Sequence, residues 1–295
     1  MVTAAGSGYV QRGANAVTRW AADRTRDADG YFIYLRDTES KEFWSAGFQP
    51  TLVEPTAYQA KFFPGTVEIT RTDHGIESRL EICADKESSV DIRRCTITNT
   101  SDRPRTIEVT SYAEFVLQPA GMDAAHPAFS KLFLQTEYDK HSNLLTVGRR
   151  KRGHQDETFF ACHFLASTEG PLPDSYETDR CRFIGRRRNL VVPHALASAE
   201  PLSGTVGSVL DPVGSLRKSF ILAPNASACV TFFLGVSDFC KFHPLVKKFR
   251  GPQAVDASFA NARRLASAQM EKHNLEMPEL LDALAGKFTE YNYDF

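Results

Sequence analysis

Between residues 66 and 117 the chain repeats one pattern four times, and that pattern leaves few folds open. In residues 66–72 Val67 and Ile69 alternate with Glu68 and Thr70. In residues 75–84 Ile76, Leu80 and Ile82 alternate with Glu77, Arg79 and Glu81. VDIRRCTITN (90–99) and TIEVTSYAEFVL (106–117) continue it, the last placing Ile107, Val109, Ser111, Ala113, Phe115 and Leu117 on one side. Side chains along a strand point alternately to its two faces, so a period of two means strands with one face buried. The connections are short: Asp73-His74-Gly75 offers a tight turn, and TSDRP at 100–104 another. Such runs build antiparallel sheets.

The pattern returns at 131–138, 143–147, 158–166, 216–222 and 228–235, so the fold is expected to be mainly β. Pro119, Gly121, His126 and Pro127 make 118–130 a loop, and Pro171 and Pro173 do the same for 168–179. Residues 1–15 are small, Gly-rich and without periodicity, and read as a flexible linker. The β domain is expected to span 16–237, with helices over 238–295. Asp256 is the expected N-cap of a helix over 257–272. Pro278 is the expected first residue of another helix, with Leu280, Leu281, Leu284 and Phe288 on one face.

Composition narrows the function. Hydrophobic residues make up 42% of 295, enough for a substantial core, and the formal net charge of −1 gives no global field to draw nucleic acid or an anionic membrane. The basic run RRKRGH (149–154) has no interleaved aromatic and reads as a solvated hairpin end. No run approaches the roughly 18 apolar residues of a membrane span. The first residues lack a basic then apolar leader pattern. Cys83, Cys95, Cys162, Cys181, Cys229 and Cys240 are scattered without CxxC spacing, as in a reduced cytoplasmic chain, while their even number leaves disulfides open. The eight histidines show no metal-ligand spacing and no nucleotide-binding or hydrolase motif occurs, so neither metal nor cofactor is expected.

Two places carry candidate chemistry. GYFIYLRDTESKEFWSAGFQPT (30–51) reads as a strand, a polar turn and an aromatic return. It places Arg36, Asp37, Trp44 and Gln49 near one another, and an indole face beside charged and amide groups suits a sugar. Burial of Trp44 as a core aromatic suits the same residues. Glu114, in SYAEF, lies opposite the apolar face of its strand, where a crevice could raise its pKa for general-acid work; solvent exposure is the plain alternative.

YLRD, a polar turn and FWSAGFQPT resemble the start of the amino-terminal domain of glycoside hydrolase family 94. That family holds cellobiose, chitobiose and β-1,2-oligoglucan phosphorylases and part of the cyclic β-1,2-glucan synthases. AVTRWAADRTRD (16–27), DAAHPAFSKLFLQTEY (123–138), CRFIGRRRNLVVPHAL (181–196) and PLSGTVGSVLDPVGSLRKSFILAP (201–224) resemble the synthase branch. Trp20, Asp27, Phe183, Gly185, Arg186 and Asn189 fall on its pattern, and the guanidinium cluster at 186–188 could meet a sugar or a neighbouring domain.

The resemblance implies an antiparallel β-supersandwich, galactose mutarotase-like, followed by short linker helices toward an (α/α)6 barrel. The family's catalytic aspartate and phosphate site belong to that barrel, so no catalytic residue is carried over. It also implies a β-glucan or gluco-oligosaccharide ligand, a helical barrel domain as partner, a possible homodimer, and a membrane-associated parent synthase. The expected role is non-catalytic carbohydrate binding and active-site support. A mutarotase-like epimerase or lyase, using Glu114 with His126 or His163, is one alternative, and a docking or dimerisation platform is another.

Overall fold

The computed structural model describes residues 1–21, 27–151, 153, 158–170 and 172–272. Two antiparallel sheets face each other. The first takes β1 (Gln11–Arg12), β2 (Asn15–Thr18), β3 (Phe32–Asp37) and β4 (Phe43–Ser45) from the start of the chain. The second opens with β5 (Ala57–Phe63), β6 (Thr66–Asp73), β7 (Ile76–Asp85) and β8 (Val90–Asn99). The long β9 (Arg105–Pro119) returns to the first sheet. Two short helices follow, α1 (Ala120–Ala125) and α2 (Pro127–Lys131). Strands β10 (Leu134–Asp139), β11 (Leu144–Arg149) and β12 (Phe160–Ser167) belong to the second sheet, and β13 (Ser175–Asp179) to the first. After α3 (Arg180–Ile184) and α4 (His194–Ala197) come β14 (Pro212–Leu222) and β15 (Ser227–Ser237), one for each sheet. Helices α5 (His243–Lys248) and α6 (Pro252–Lys272) complete the described chain.

The first sheet runs β1-β2-β9-β14-β13, with β3 bonded to β9 and β4 to β3; the second runs β10-β11-β12-β15-β8-β7-β6-β5. The expectation of a mainly β, antiparallel supersandwich is met, and the alternation explains it. Odd residues of β9 (Ile107, Val109, Ala113, Phe115) and even residues of β7 (Ile76, Leu80, Ile82) share the core between the sheets. In the hairpin of β6 and β7, Asp73 pairs with Ile76, and His74 and Gly75 take φ of 49° and 79°. Positive φ at both turn positions is what a two-residue hairpin turn requires.

Both outer faces are also covered, which the alternation did not announce. Cys83, Val90, Ile92 and Phe233 of the second sheet pack under Phe242, Val246 and Phe249 of the α5 region and Phe259 of α6. Phe32, Tyr34 and Tyr112 of the first sheet pack under Phe183, Ile184 and Leu196 of α3 and α4. The second cover positions the site described below.

Several expectations need correction. Residues 1–15 are no free linker: Gln11–Arg12 pairs with β2, Val2 bridges to Gly8, and Thr3 and Ser7 are buried with their hydroxyls bonded to Asp27. The stretch 118–130 holds two short helices rather than only loop. Asp256 lies inside α6, which begins at Pro252, and pairs with Arg94 at 2.6 Å across to β8. The expected helix from Pro278, with Leu280, Leu281, Leu284 and Phe288, lies outside the described residues, as do Arg152 and His154 of the basic run. The six cysteines are free, with Cys83, Cys95 and Cys162 buried. No helix among the described residues is long and apolar enough to cross a membrane.

Candidate functional site

The hairpin of β3 and β4 does not form a sugar face. Trp44 is 1% exposed and lies in the core between the sheets, its ring centroid 5.6 Å from that of His74. Its strand position points it inward, so neither face of the indole is open. Arg36 is turned to the outer face and bonds Glu108 at 3.0 Å. Asp37 is turned inward, where its carboxylate accepts from the Arg105 guanidinium and from the backbone N–H groups of Glu39 and Ser40. Burial pushes the Asp37 carboxyl up, but these donors outweigh it and hold the carboxyl below its ordinary range. Gln49 is half-buried on the far side of β4, its backbone N–H bonded to Ala5. The structure therefore turns Arg36 away from Trp44 and Asp37, and buries all three.

A second group of charges on the first sheet's outer face gathers at one end of β9. Glu114 accepts from Arg19 at 2.8 Å, Arg180 at 2.7 Å and the Tyr112 hydroxyl at 2.7 Å. Arg19 also reaches Asp123 of α1 at 3.1 Å, and Lys131 of α2 reaches Asp211 at 2.7 Å. Arg180 closes the ring toward Asp211 at 3.8 Å. Three cations thus meet three carboxylates drawn from six separate segments. Burial acts to raise the Glu114 pKa, yet Arg180 and Arg19 more than offset it and keep the group below its ordinary value. The raised pKa that a general acid needs is absent from Glu114. The cluster fastens α1 and α2 to the sheet, and Met122, Phe129, Leu132 and nearby Leu210 remain exposed around it.

His126 and His163 do not join Glu114. His126 is exposed between α1 and α2. His163 is fully buried on the inner side of the second sheet, 2.7 Å from Ser111 Oγ and 2.9 Å from the Phe233 carbonyl. A carbonyl only accepts, so Nδ1 donates to it and Nε2 accepts a hydrogen bond from the Ser111 hydroxyl. Ser111 Oγ in turn accepts the Leu216 N–H at 3.0 Å. Burial, only partly opposed by the Phe233 carbonyl, lowers the His163 pKa from 6.5 to about 4. The group is a satisfied neutral core histidine.

A cavity lies where α3, α4 and 200–203 cover the sheet. Its volume is about 400 Å³. Phe183, Ala195 and Leu202 supply apolar floor, and Arg182, Arg186 and His194 line it from exposed positions. Gly185 shapes the wall: its φ is +82°, and a Cβ there would lie 2.7 Å from His194 Cβ. Asn189 then folds the following turn by accepting from the N–H groups of Val191 and Val192. Glu177, 1% exposed, seals the back by accepting from the backbone of Thr178, Asp179 and Ser203 and from the Ser203 hydroxyl. Among the described residues, no group of three or more His, Cys, Asp or Glu is placed to hold a metal.

Of the residues in the resemblance, Phe183, Gly185 and Arg186 all border this cavity. Trp20 stands 41% exposed with its ring 4.8 Å from Tyr9. The sequence carried no local signal for the ion cluster, whose partners Arg19 and Glu114 stand 95 positions apart.

Residues 1–252 match the model of the glycosyl hydrolase 94 supersandwich domain. The chain is 32% identical, over 99% of its length, to the cyclic β-(1,2)-glucan synthase NdvB of Rhizobium meliloti, of which it covers 10%. It is 27% identical, over 94% of its length, to the N,N'-diacetylchitobiose phosphorylase of Vibrio furnissii, of which it covers 34%. It is 24% identical, over 86% of its length, to the solabiose phosphorylase of Paenibacillus borealis, of which it covers 32%. The chain thus spans a tenth to a third of these curated relatives. It belongs to the glycosyl hydrolase 94 family, as a supersandwich domain of the kind found in glucan synthases and glycoside phosphorylases.

Proposed function

We propose that this chain is a non-catalytic supporting domain in carbohydrate metabolism, one that docks a helical catalytic barrel handling β-glucan or gluco-oligosaccharide. The observation that carries this reading is the clamped patch at the end of β9. Arg19, Glu114, Asp123, Lys131, Arg180 and Asp211 hold α1 and α2 rigidly against the sheet. Met122, Phe129 and Leu132, all 47–49% exposed, are presented on that base. Exposed apolar side chains on a base fastened by ion pairs suit a protein interface. The similar synthase and phosphorylases are three to ten times longer than the part matched here, which supports a docking partner in the rest of such a protein.

Sedimentation of the purified chain with the separately produced helical region of the Rhizobium meliloti synthase tests the reading. The expected result is a complex that weakens at least about tenfold when Phe129 and Leu132 are both changed to Ser, in line with the share of affinity carried by a few central apolar anchors. Failure of the two to associate, or association indifferent to both substitutions, would overturn it.

A further inference from the structure

Beneath the cavity wall two buried arginines of the first sheet share one carboxylate. Arg217 is 2% exposed, and its guanidinium bonds the carbonyls of Ala195 and Glu200 and the Thr110 hydroxyl. Ala195 and Glu200 both line the cavity. The carboxylate within ion-pair distance of Arg217 is Glu108, at 3.5 Å, and Glu108 also serves Arg36 at 3.0 Å. Two guanidiniums therefore share one carboxylate, and Arg36 Nε is buried with no acceptor. A low-dielectric setting keeps such an imbalance effective over the few ångströms to the wall.

The cavity lining itself balances in formal charge, Arg182 and Arg186 against Glu177 and Glu200, but the two signs are committed differently. Arg186 has no ion-pair partner among the described residues, and Arg182 has only Asp179 at 3.9 Å. Of the two carboxylates that line the space, Glu177 is held by three backbone N–H groups and a hydroxyl, and Glu200 is exposed at the rim. A volume of about 400 Å³ falls within the range of small-molecule sites. An apolar floor with polar groups around it suits the body of a sugar, and exposed guanidiniums that are unpaired or loosely paired suit an oxyanion.

We infer that the cavity bounded by Phe183, Arg182, Arg186, His194 and Leu202 binds an anionic sugar, one carrying a carboxylate or a phosphate, with Arg182 and Arg186 meeting the oxyanion and the buried Arg36–Glu108–Arg217 group supplying the supporting positive field. The inference is independent of the docking patch, which uses other residues, so either can fail alone.

Isothermal titration of the full chain with D-glucuronate and with D-glucose 6-phosphate, against D-glucose as the neutral control, tests it. At least one anion should bind about tenfold or more tightly than glucose, the worth of one charge-assisted contact. Rising ionic strength should weaken that binding. Arg186→Gln and Arg182→Gln, both at exposed positions, should each reduce it by about the same factor without altering the circular dichroism spectrum. Binding of glucuronate alone identifies a carboxylated ligand, and binding of the phosphate ester alone a phosphorylated one. Equal affinity for glucose, no heat with either anion, or anion binding indifferent to both substitutions would overturn the inference.

Discussion

The β3–β4 hairpin and the cover formed by residues 180–203 use similar side chains to opposite ends. In the hairpin, Arg36 and Asp37 are 2% and 0% exposed, and each is paired with a specific opposite charge on β9. In the cover, Arg182 and Arg186 are exposed, and Arg186 has no ion-pair partner among the described residues. The aromatic residues differ likewise: Trp44 is sealed between two sheets, while Phe183 is packed on the sheet's outer face as the floor of an open cavity. A charged residue whose partner lies on the adjacent strand is committed to the fold. One left on a glycine-shaped turn above an apolar floor is free to meet a ligand. The comparison predicts that hairpin substitutions cost stability and cover substitutions cost binding.

The largest effect should come from Trp44→Ala. Removing a fully buried indole leaves a cavity between the sheets, and the loss should be about 3–5 kcal/mol in urea unfolding. A loss under about 1 kcal/mol would show that the indole is not sealed in the core. Asp37→Ala should be of similar size, about 3–5 kcal/mol, because it strands the Arg105 guanidinium in a buried site. An Asp37→Ala and Arg105→Met double variant that recovers much of the loss would identify the stranded charge as its cause.

The core behind the hairpin gives a pH signature that the exposed cover should lack. His163 lies edge-on to Tyr31 with ring centroids 5.6 Å apart. Its pKa falls from 6.5 to about 4 on folding, so between those values the unfolded chain binds a proton that the folded chain refuses. Stability is therefore full above about pH 6.5 and declines as the pH falls toward 4, by about 3 kcal/mol if this group acts alone. His163→Asn keeps a donor for the Phe233 carbonyl and cannot titrate. Its unfolding free energy should lose that slope; an unchanged slope would assign the acid sensitivity to other groups.

How much of this was legible in the sequence follows the range of each signal. The alternation in 66–72, 75–84, 90–99 and 106–117 is local, and it translated directly into β6, β7, β8 and β9. It also placed Glu114 correctly on the face opposite Phe115, but not what waits there, because Arg19 and Arg180 come from 95 and 66 positions away. Proximity in sequence misled for Arg36, Asp37 and Trp44: adjacent strand residues point to opposite sides, so Arg36 and Asp37 cannot share a site. The sequence left Trp44 open to burial as a core aromatic, and it read the GRRRN turn as an arginine cluster without announcing the cavity behind it. The small residues of 1–15 carried no periodicity because their order comes from close packing: a Cβ on Gly47 would lie 2.5 Å from the Ala5 carbonyl oxygen.

Gly185 sharpens the contrast from the other side. Its φ of 82° and ψ of 164° lie in a region reserved for glycine. Gly185→Ala should cost about 1–3 kcal/mol and displace His194, whose Cβ would be 2.7 Å away. Here stability and ligand affinity should fall together, since the same turn closes the helix and shapes the cavity. A variant that loses stability but binds the anionic sugar unchanged would separate the turn from the site.

The smallest stability effect, and the one that decides the comparison, belongs to Arg186→Gln. The side chain is exposed and unpaired among the described residues, so the unfolding free energy should move by no more than about 0.5 kcal/mol. If instead the variant loses as much as Asp37→Ala, Arg186 is a structural guanidinium like Arg105, and the cover is built on the same terms as the hairpin. A stability unchanged by the substitution, beside a tenfold loss of anion affinity, would show that the hairpin and the cover on the same sheet have divided the arginine chemistry between folding and recognition.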